Sequence, residues 1–146
     1  MAPTPRLVTY SMNISLDGYI VGPDGGFDWS EPDEEVFAAH TDELRGIGVH
    51  LLGRRLRETM SYWETADQEP ESDEGEIALG GAELAAAAAA ADLVDEYRPF
   101  VLPVVVGGGR PYWPEGLDRI DLDHVSSRTF GNGVVASRYR VVRPGA

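Results

Sequence analysis

Two places in the sequence put glycine directly ahead of a helical pattern: Gly53-Arg54-Arg55 and Gly80-Gly81-Ala82-Glu83. Glycine lets an anion approach the backbone amides at a helix amino terminus, where the dipole favours negative charge. Arginine adds a bidentate partner for a phosphate. Each junction also has a structural reading, a tight turn before a helix packed closely on a sheet. Residue types alone leave both readings open. No GxGxxG or Walker A sequence is present, so the two common phosphate loops are excluded.

Acid–base chemistry has few candidates. Asp33 follows Trp29 closely and stands at the start of a helical pattern, where a carboxylate either binds a ligand ring and relays a proton or satisfies the helix dipole. His40, His50 and His124 lack HxxxH-type spacing, so a metal site is not expected and they read as satisfied structural histidines. Ser11, Ser15, Ser61 and Ser126 have no GxSxG context, which leaves a hydrolase triad without support. Gly107-Gly108-Gly109 reads as a turn after a strand, or as backbone passing close to a ligand. The chain has no cysteine, which removes disulfides, thiolate nucleophiles and cysteine metal ligands together.

The elements that must position these residues follow from periodicity. "RLVTYSMNISLDGYIVG" reads as a strand, a tight turn at Asp17-Gly18 and a short extended continuation. "GPDGGFDW" is a loop with two large aromatics, Phe27 and Trp29, whose burial would make it a flap. "SEPDEEVFAAHTDELRG" is a helix with Pro32 in its first turn, stopped by Gly46 and Gly48. "VHLLG" is a short buried strand, and a second helix begins after Gly53 with basic residues where the dipole prefers anions. From Glu64 to Glu76 the chain carries seven acids and no base, the composition of a solvated connector. "EIALGG" is a strand, the alanine run a helix, and "VDEYRPFVLPVVVGGG" a long strand. The last piece is a hairpin turning at Gly131-Asn132-Gly133. That order implies an α/β sheet, mostly parallel with an antiparallel edge, whose ligands bind beyond the carboxyl ends of the strands.

With 146 residues the chain suits one domain spanning 1–146. A formal charge of −13 argues against a nucleic-acid partner or an anionic membrane surface. No apolar run approaches the roughly 20 residues of a membrane span. "MAPTPRLVTY" lacks the apolar core of a signal peptide, which makes the cytoplasm the expected location.

"SMNISLDGYI", "GRRLRETM", "IALGGAELA", "VDEYRPFVLPVVVGGGRPYWP" and "FGNGVVASRY" together resemble the dihydrofolate reductase-like superfamily, in particular bacterial proteins akin to the C-terminal reductase domain of the riboflavin-biosynthesis deaminase-reductase. The resemblance implies a three-layer fold and an NADPH-dependent reductase that delivers hydride to a pterin-like or pyrimidine-like heterocycle. Carried over by position, Gly80, Gly81, Ala82 and Glu83 match the cofactor pyrophosphate junction, and Gly53, Arg54 and Arg55 the second phosphate-facing one. Ile14, Ser15, Leu16, Asp17 and Gly18 match the first strand and the loop near the nicotinamide. Asp33 matches the substrate carboxylate, with Trp29 and Phe37 beside it. Relatives of this branch commonly pair, so a homodimer is implied as well.

The chain departs from that pattern between the second helix and "GGAE". Relatives carry a further strand, helix and strand there, which help grip the adenosine end of the cofactor; this chain has only the acidic connector. The resemblance puts the missing strands at one edge of the sheet. It leaves a second expectation, a non-catalytic ligand-binding relative with incomplete cofactor grip. Leu102 stands where relatives often place histidine or another polar residue, and Pro99 is unusual inside a strand.

Overall fold

The computed structural model describes residues 6–52, 75–80 and 82–143. Its centre is β1 (Val8–Ser15), whose alternating side chains send Tyr10, Met12 and Ile14 to one face and Thr9, Ser11, Asn13 and Ser15 to the other. Around it lie β3 (Ile47–Leu52), β4 (Glu76–Gly80), β5 (Glu96–Leu102), β7 (Leu122–Thr129) and β8 (Val135–Val141), in the order β3-β4-β1-β5-β8-β7. The β3–β4, β4–β1 and β1–β5 pairs are parallel, and β5–β8–β7 is antiparallel. The expected mostly parallel sheet with its C-terminal hairpin is therefore present. Two further strands, β2 (Tyr19–Val21) and β6 (Arg110–Pro111), pair with each other as a separate ribbon.

Two helices cover opposite faces. Helix α1 (Glu34–Leu44) buries Val36 against Phe100, Leu102, Phe130 and Val134. Helix α2 (Ala82–Ala90) buries Ala85 and Ala88 against Tyr10, Leu79, Val94 and Tyr97. Alternation along β5 separates the two cores, with Phe100 and Leu102 facing α1 and Tyr97 facing α2. The alanines are short enough for α2 to lie close to the large rings of Tyr10, Tyr97 and Tyr112.

Several expectations need correction. The long strand ends at Leu102, because Pro103 follows and Val104 folds back to donate to Leu102 O at 2.8 Å. Pro99 is tolerated because the β5–β8 ladder lapses between the Tyr97–Tyr139 and Phe100–Ala136 pairs, where its missing N–H is not needed. Pro32 precedes the helix: Asp33 is the N-cap and Glu34 the first helical residue. Glu76, counted with the acidic connector and also as the first residue of the "EIALGG" strand, opens β4 and is tied to Arg98 by ion pairing. Strand β3 is an edge of the described sheet and Leu51 is exposed, so it is not fully buried. The rest of the connector and the helix expected after Gly53 lie outside the described residues.

Of the glycines at 107–109, Gly109 packs tightly against protein, Gly108 lies near Pro23, and Gly107 faces open space. A Cβ on Gly109, where φ is 125°, would lie 1.9 Å from Val21 O, so glycine here lets β6 run against β2.

Candidate active site

The carboxyl ends of the parallel strands are not level. Pairing of β1 with β4 runs from Val8–Ile77 to Tyr10–Leu79, and β4 ends one residue later at Gly80. Strand β1 continues beside β5 to Ser15, opposite Leu102. It therefore overhangs the end of β4 by about four residues, roughly 13 Å. Helices α1 and α2 cover opposite faces of the sheet, so this step lies at its carboxyl edge, the place where α/β sheets bind ligands in a crevice.

The α2 side of the step is built from Gly80, buried as the last residue of β4, and the start of α2 at Ala82. First-turn amides of α2 have no carbonyl partner within their own helix. Glu83 is exposed in that turn. Gly53, Arg54, Arg55 and Gly81, assigned to the cofactor by resemblance, lie outside the described residues.

At the top of β1, Ile14 is buried in the α2-side core. Ser15 and Asp17 are consumed by the chain itself. Ser15 Oγ donates to Asp17 Oδ1 at 2.5 Å and accepts from Tyr19 N at 3.0 Å. The same carboxylate accepts from Val106 N at 3.2 Å and Gly107 N at 2.9 Å. The Ser15 hydrogen bond, followed by those amides, holds the Asp17 carboxyl below its usual range against a smaller opposing effect of desolvation. These two side chains clip the β1–β2 turn to the loop after β5. Gly18 makes the turn with φ at 92° and accepts from Tyr112 N at 2.9 Å.

Helix α1 carries the residues expected on the substrate side. Val36, Ala39, His40 and Glu43 turn toward the sheet, where Val36 and Ala39 join the core and Ser11 hydrogen-bonds Glu43. Helical periodicity then puts Glu35 on one flank and Asp33 and Phe37 on the other. Glu35 Oε1 accepts from Gly131 N at 2.9 Å in the hairpin turn, so the Asp33–Phe37 flank faces the β1–β4 side, over the step. Asp33 is exposed, and its Oδ1 accepts from Val36 N at 2.9 Å as the helix cap. Phe37 is 63% exposed on the same flank. Trp29 packs against the α1-side core and donates from Nε1 to Gly26 O at 3.3 Å, so it anchors its loop, whereas Phe27 stays exposed.

Asn13 drew no attention in the sequence, and His40 read there as a satisfied structural histidine. Asn13 donates from Nδ2 to Ser30 O at 3.2 Å, and its Oδ1 lies 2.9 Å from His40 Nε2. The His40 ring stacks on Phe100 with centroids 4.1 Å apart. Asn13 is one of four polar side chains on the α1 face of β1, so its meeting with His40 depends on the packing of α1 over β1 and not on any local pattern.

The opposite, amino-terminal end of the sheet holds a dense charge cluster. Glu96 is fully buried and pairs with Arg98, Arg138 and Arg140 at 2.7, 2.5 and 2.8 Å. Arg98 also pairs with Glu76 and, at 3.9 Å, with Glu43. A groove opens beside this cluster, but its charges already satisfy one another. Among the described residues no group of three or more His, Asp or Glu is arranged to hold a metal. None of the described helices is long and apolar enough to cross a membrane.

Residues 77–136 match the RibD C-terminal domain. The uncharacterised protein YyaP of Bacillus subtilis is 26% identical over 179 residues, covering 92% of this chain and 94% of its own length. Since 92% of 146 residues is about 134, that alignment opens by about 45 positions on the side of this chain. Among solved structures, a riboflavin biosynthesis protein from Shewanella sp. PV-4 superposes with a TM-score of 0.78 at 17% identity, covering 94% of this chain and 99% of that one. The deaminase/5-amino-6-(5-phosphoribosylamino)uracil reductase of Thermotoga maritima gives 0.68 at 12% identity, with 94% of this chain and 57% of that one covered. Dihydrofolate reductase from Enterococcus faecalis, solved with NADP(H), gives 0.61 at 16% identity, covering 92% and 96%.

Proposed function

The chain has the dihydrofolate reductase-like fold, with residues 77–136 matching the RibD C-terminal domain, and from that premise we propose that it is an NADPH-dependent reductase of a pterin-like or pyrimidine-like heterocycle. The observation that carries the proposal is the overhang of β1 beyond Gly80, flanked by the start of α2 on one face and the Asp33–Phe37 flank of α1 on the other.

A dinucleotide fits this crevice in two respects. The first-turn amides of α2, which have no carbonyl partner within their own helix, suit a pyrophosphate reached across a side-chain-free Gly80. The overhanging end of β1, with Ile14 and the clipped Ser15–Gly18 turn, gives a rigid wall for a planar ring. Bound there, the nicotinamide would supply the hydride. The chain supplies position and charge: Phe37 offers its exposed ring to the heterocycle, and Asp33 accepts hydrogen bonds from it and relays a proton to it.

The test is spectrophotometric oxidation of NADPH with 5-amino-6-(5-phosphoribosylamino)uracil and with dihydrofolate, the two compounds named by the similar enzymes. Oxidation dependent on either supports the proposal, and none with both opposes it. The opening in the YyaP alignment favours a second reading, a heterocycle-binding relative without full cofactor grip. That reading predicts binding of the heterocycle without oxidation of NADPH.

A further inference from the structure

The Asn13–His40 pair sits at the step on the α1 face, level with Phe100, and its hydrogen-bond polarity can be worked out atom by atom. Ser30 O only accepts, so the Asn13 atom facing it is the amide nitrogen. The atom of Asn13 facing His40 is then the amide oxygen, which also only accepts. His40 Nε2, 2.9 Å away, must therefore carry hydrogen. In a neutral imidazole the other nitrogen, Nδ1, is left with a lone pair. Burial pushes His40 below the usual histidine range, which keeps it neutral near pH 7.

No described residue takes up Nδ1. The buried, unpartnered side-chain atoms of the described residues are Thr9 Oγ1 and Tyr10 Oη, so His40 Nδ1 is not sealed in the core. His40 also lies at the edge of the sheet-facing side of α1, next to the flank that carries Asp33 and Phe37. A neutral histidine locked in one tautomer, with a reachable lone pair beside a crevice, is a hydrogen-bond acceptor awaiting a donor.

We infer that His40 determines specificity in this crevice: its Nδ1 accepts a hydrogen bond from an N–H or O–H group of the bound heterocycle, and Asn13 is the positioning residue that fixes the tautomer. The inference rests on the reading that a heterocycle binds over the β1 step. It narrows the substrate class to rings that present a donor, such as a lactam N–H or an exocyclic amine, toward α1. A ring presenting only acceptors there would face an unmatched lone pair.

The experiment combines nitrogen-15 histidine NMR with calorimetric titration of 5-amino-6-(5-phosphoribosylamino)uracil and dihydrofolate. The free protein should show His40 as the Nε2–H tautomer, and the Nδ1 signal should move when the better-binding compound is added. In His40→Gln the side-chain amide nitrogen can still donate to Asn13, but the Nδ1 acceptor is gone. Heterocycle affinity should fall about tenfold, the size of one lost hydrogen bond, with melting temperature nearly unchanged. An Nδ1–H tautomer, an unmoved Nδ1 signal at saturation, unchanged affinity in His40→Gln, or no binding of either compound would each overturn the inference. NADPH oxidation is read separately: its absence, with the NMR and affinity results as expected, defeats the reductase reading alone.

Discussion

Asp33 Oδ1 accepts from Val36 N at 2.9 Å, so the carboxylate proposed to hold the substrate is also the cap of the helix that carries it. The two roles separate by mutation. Asparagine caps a helix about as well as aspartate, so Asp33→Asn should leave the melting temperature almost unchanged. If the carboxylate fixes the heterocycle and holds a proton, the same change should lower turnover by about 100-fold or more while NADPH affinity stays level. Asp33→Ala should add a loss of about 1 kcal/mol in stability. Steady-state kinetics and thermal melts on the two variants check this, and unaltered turnover in Asp33→Asn removes Asp33 from the site.

The Asp17 carboxylate joins the β1–β2 turn to the loop after β5 through Ser15 Oγ, Val106 N and Gly107 N. Asp17→Ala should speed hydrogen exchange at the amides of Val106, Gly107 and Tyr19, which lose their acceptor or the group that orients it. Exchange at β5 amides should not change. Equal exchange at the two loop amides in both proteins would show that the clip holds nothing.

Stability at low pH should follow Glu96. Burial raises its pKa, but hydrogen bonds from Arg138, Arg98 and Arg140, with the Arg98 charge, more than offset this and hold it at about 2, against a usual 4.5. A depressed folded-state value means the stabilisation is present above about pH 4.5 and lost as pH falls toward 2. Glu43 works in the opposite sense: burial raises its pKa, so ionising it on folding costs stability as pH rises. Urea midpoints should drop between pH 4.5 and 2 in the wild type. Glu96→Gln should be destabilised by about 3 kcal/mol or more near pH 7, because it leaves three arginines without their buried partner, and should show a flatter acid limb. An identical acid limb in the variant would assign the transition elsewhere.

Gly107 and Gly109 provide an internal comparison. Both have positive φ, 84° and 125°, but a Cβ on Gly107 meets nothing within 4 Å, whereas one on Gly109 would collide with Val21 O. Gly107→Ala should cost about 1 kcal/mol from backbone conformation alone. Gly109→Ala should cost several times more, because the β2–β6 ribbon must separate. Equal losses in denaturant melts would contradict the packing.

The parts of this fold that could be read from sequence are those with local signals. The Gly131-Asn132-Gly133 turn, the alternation in β7 and β8, and the strand–Gly–helix junction at Gly80 announce themselves within a few residues. What could not be read depends on register between distant segments. Asn13 and His40 are 27 positions apart and meet only because α1 lies over β1 and β5. Pro99 reads as a misfit until the gap in the β5–β8 ladder is known, and the pairing of Glu76 with Arg98, 22 positions away, has no local signal. The glycines at 107–109 read first as a turn and second as a ligand approach, and the closeness of Val21 O explains the glycine at 109.

Whether the β1 step takes NADPH is decided by calorimetric titration of the protein with NADPH and, in parallel, NADH. Micromolar binding of NADPH with much weaker binding of NADH is expected. Absence of measurable heat with either nucleotide would contradict it and leave the chain as a heterocycle binder without a cofactor.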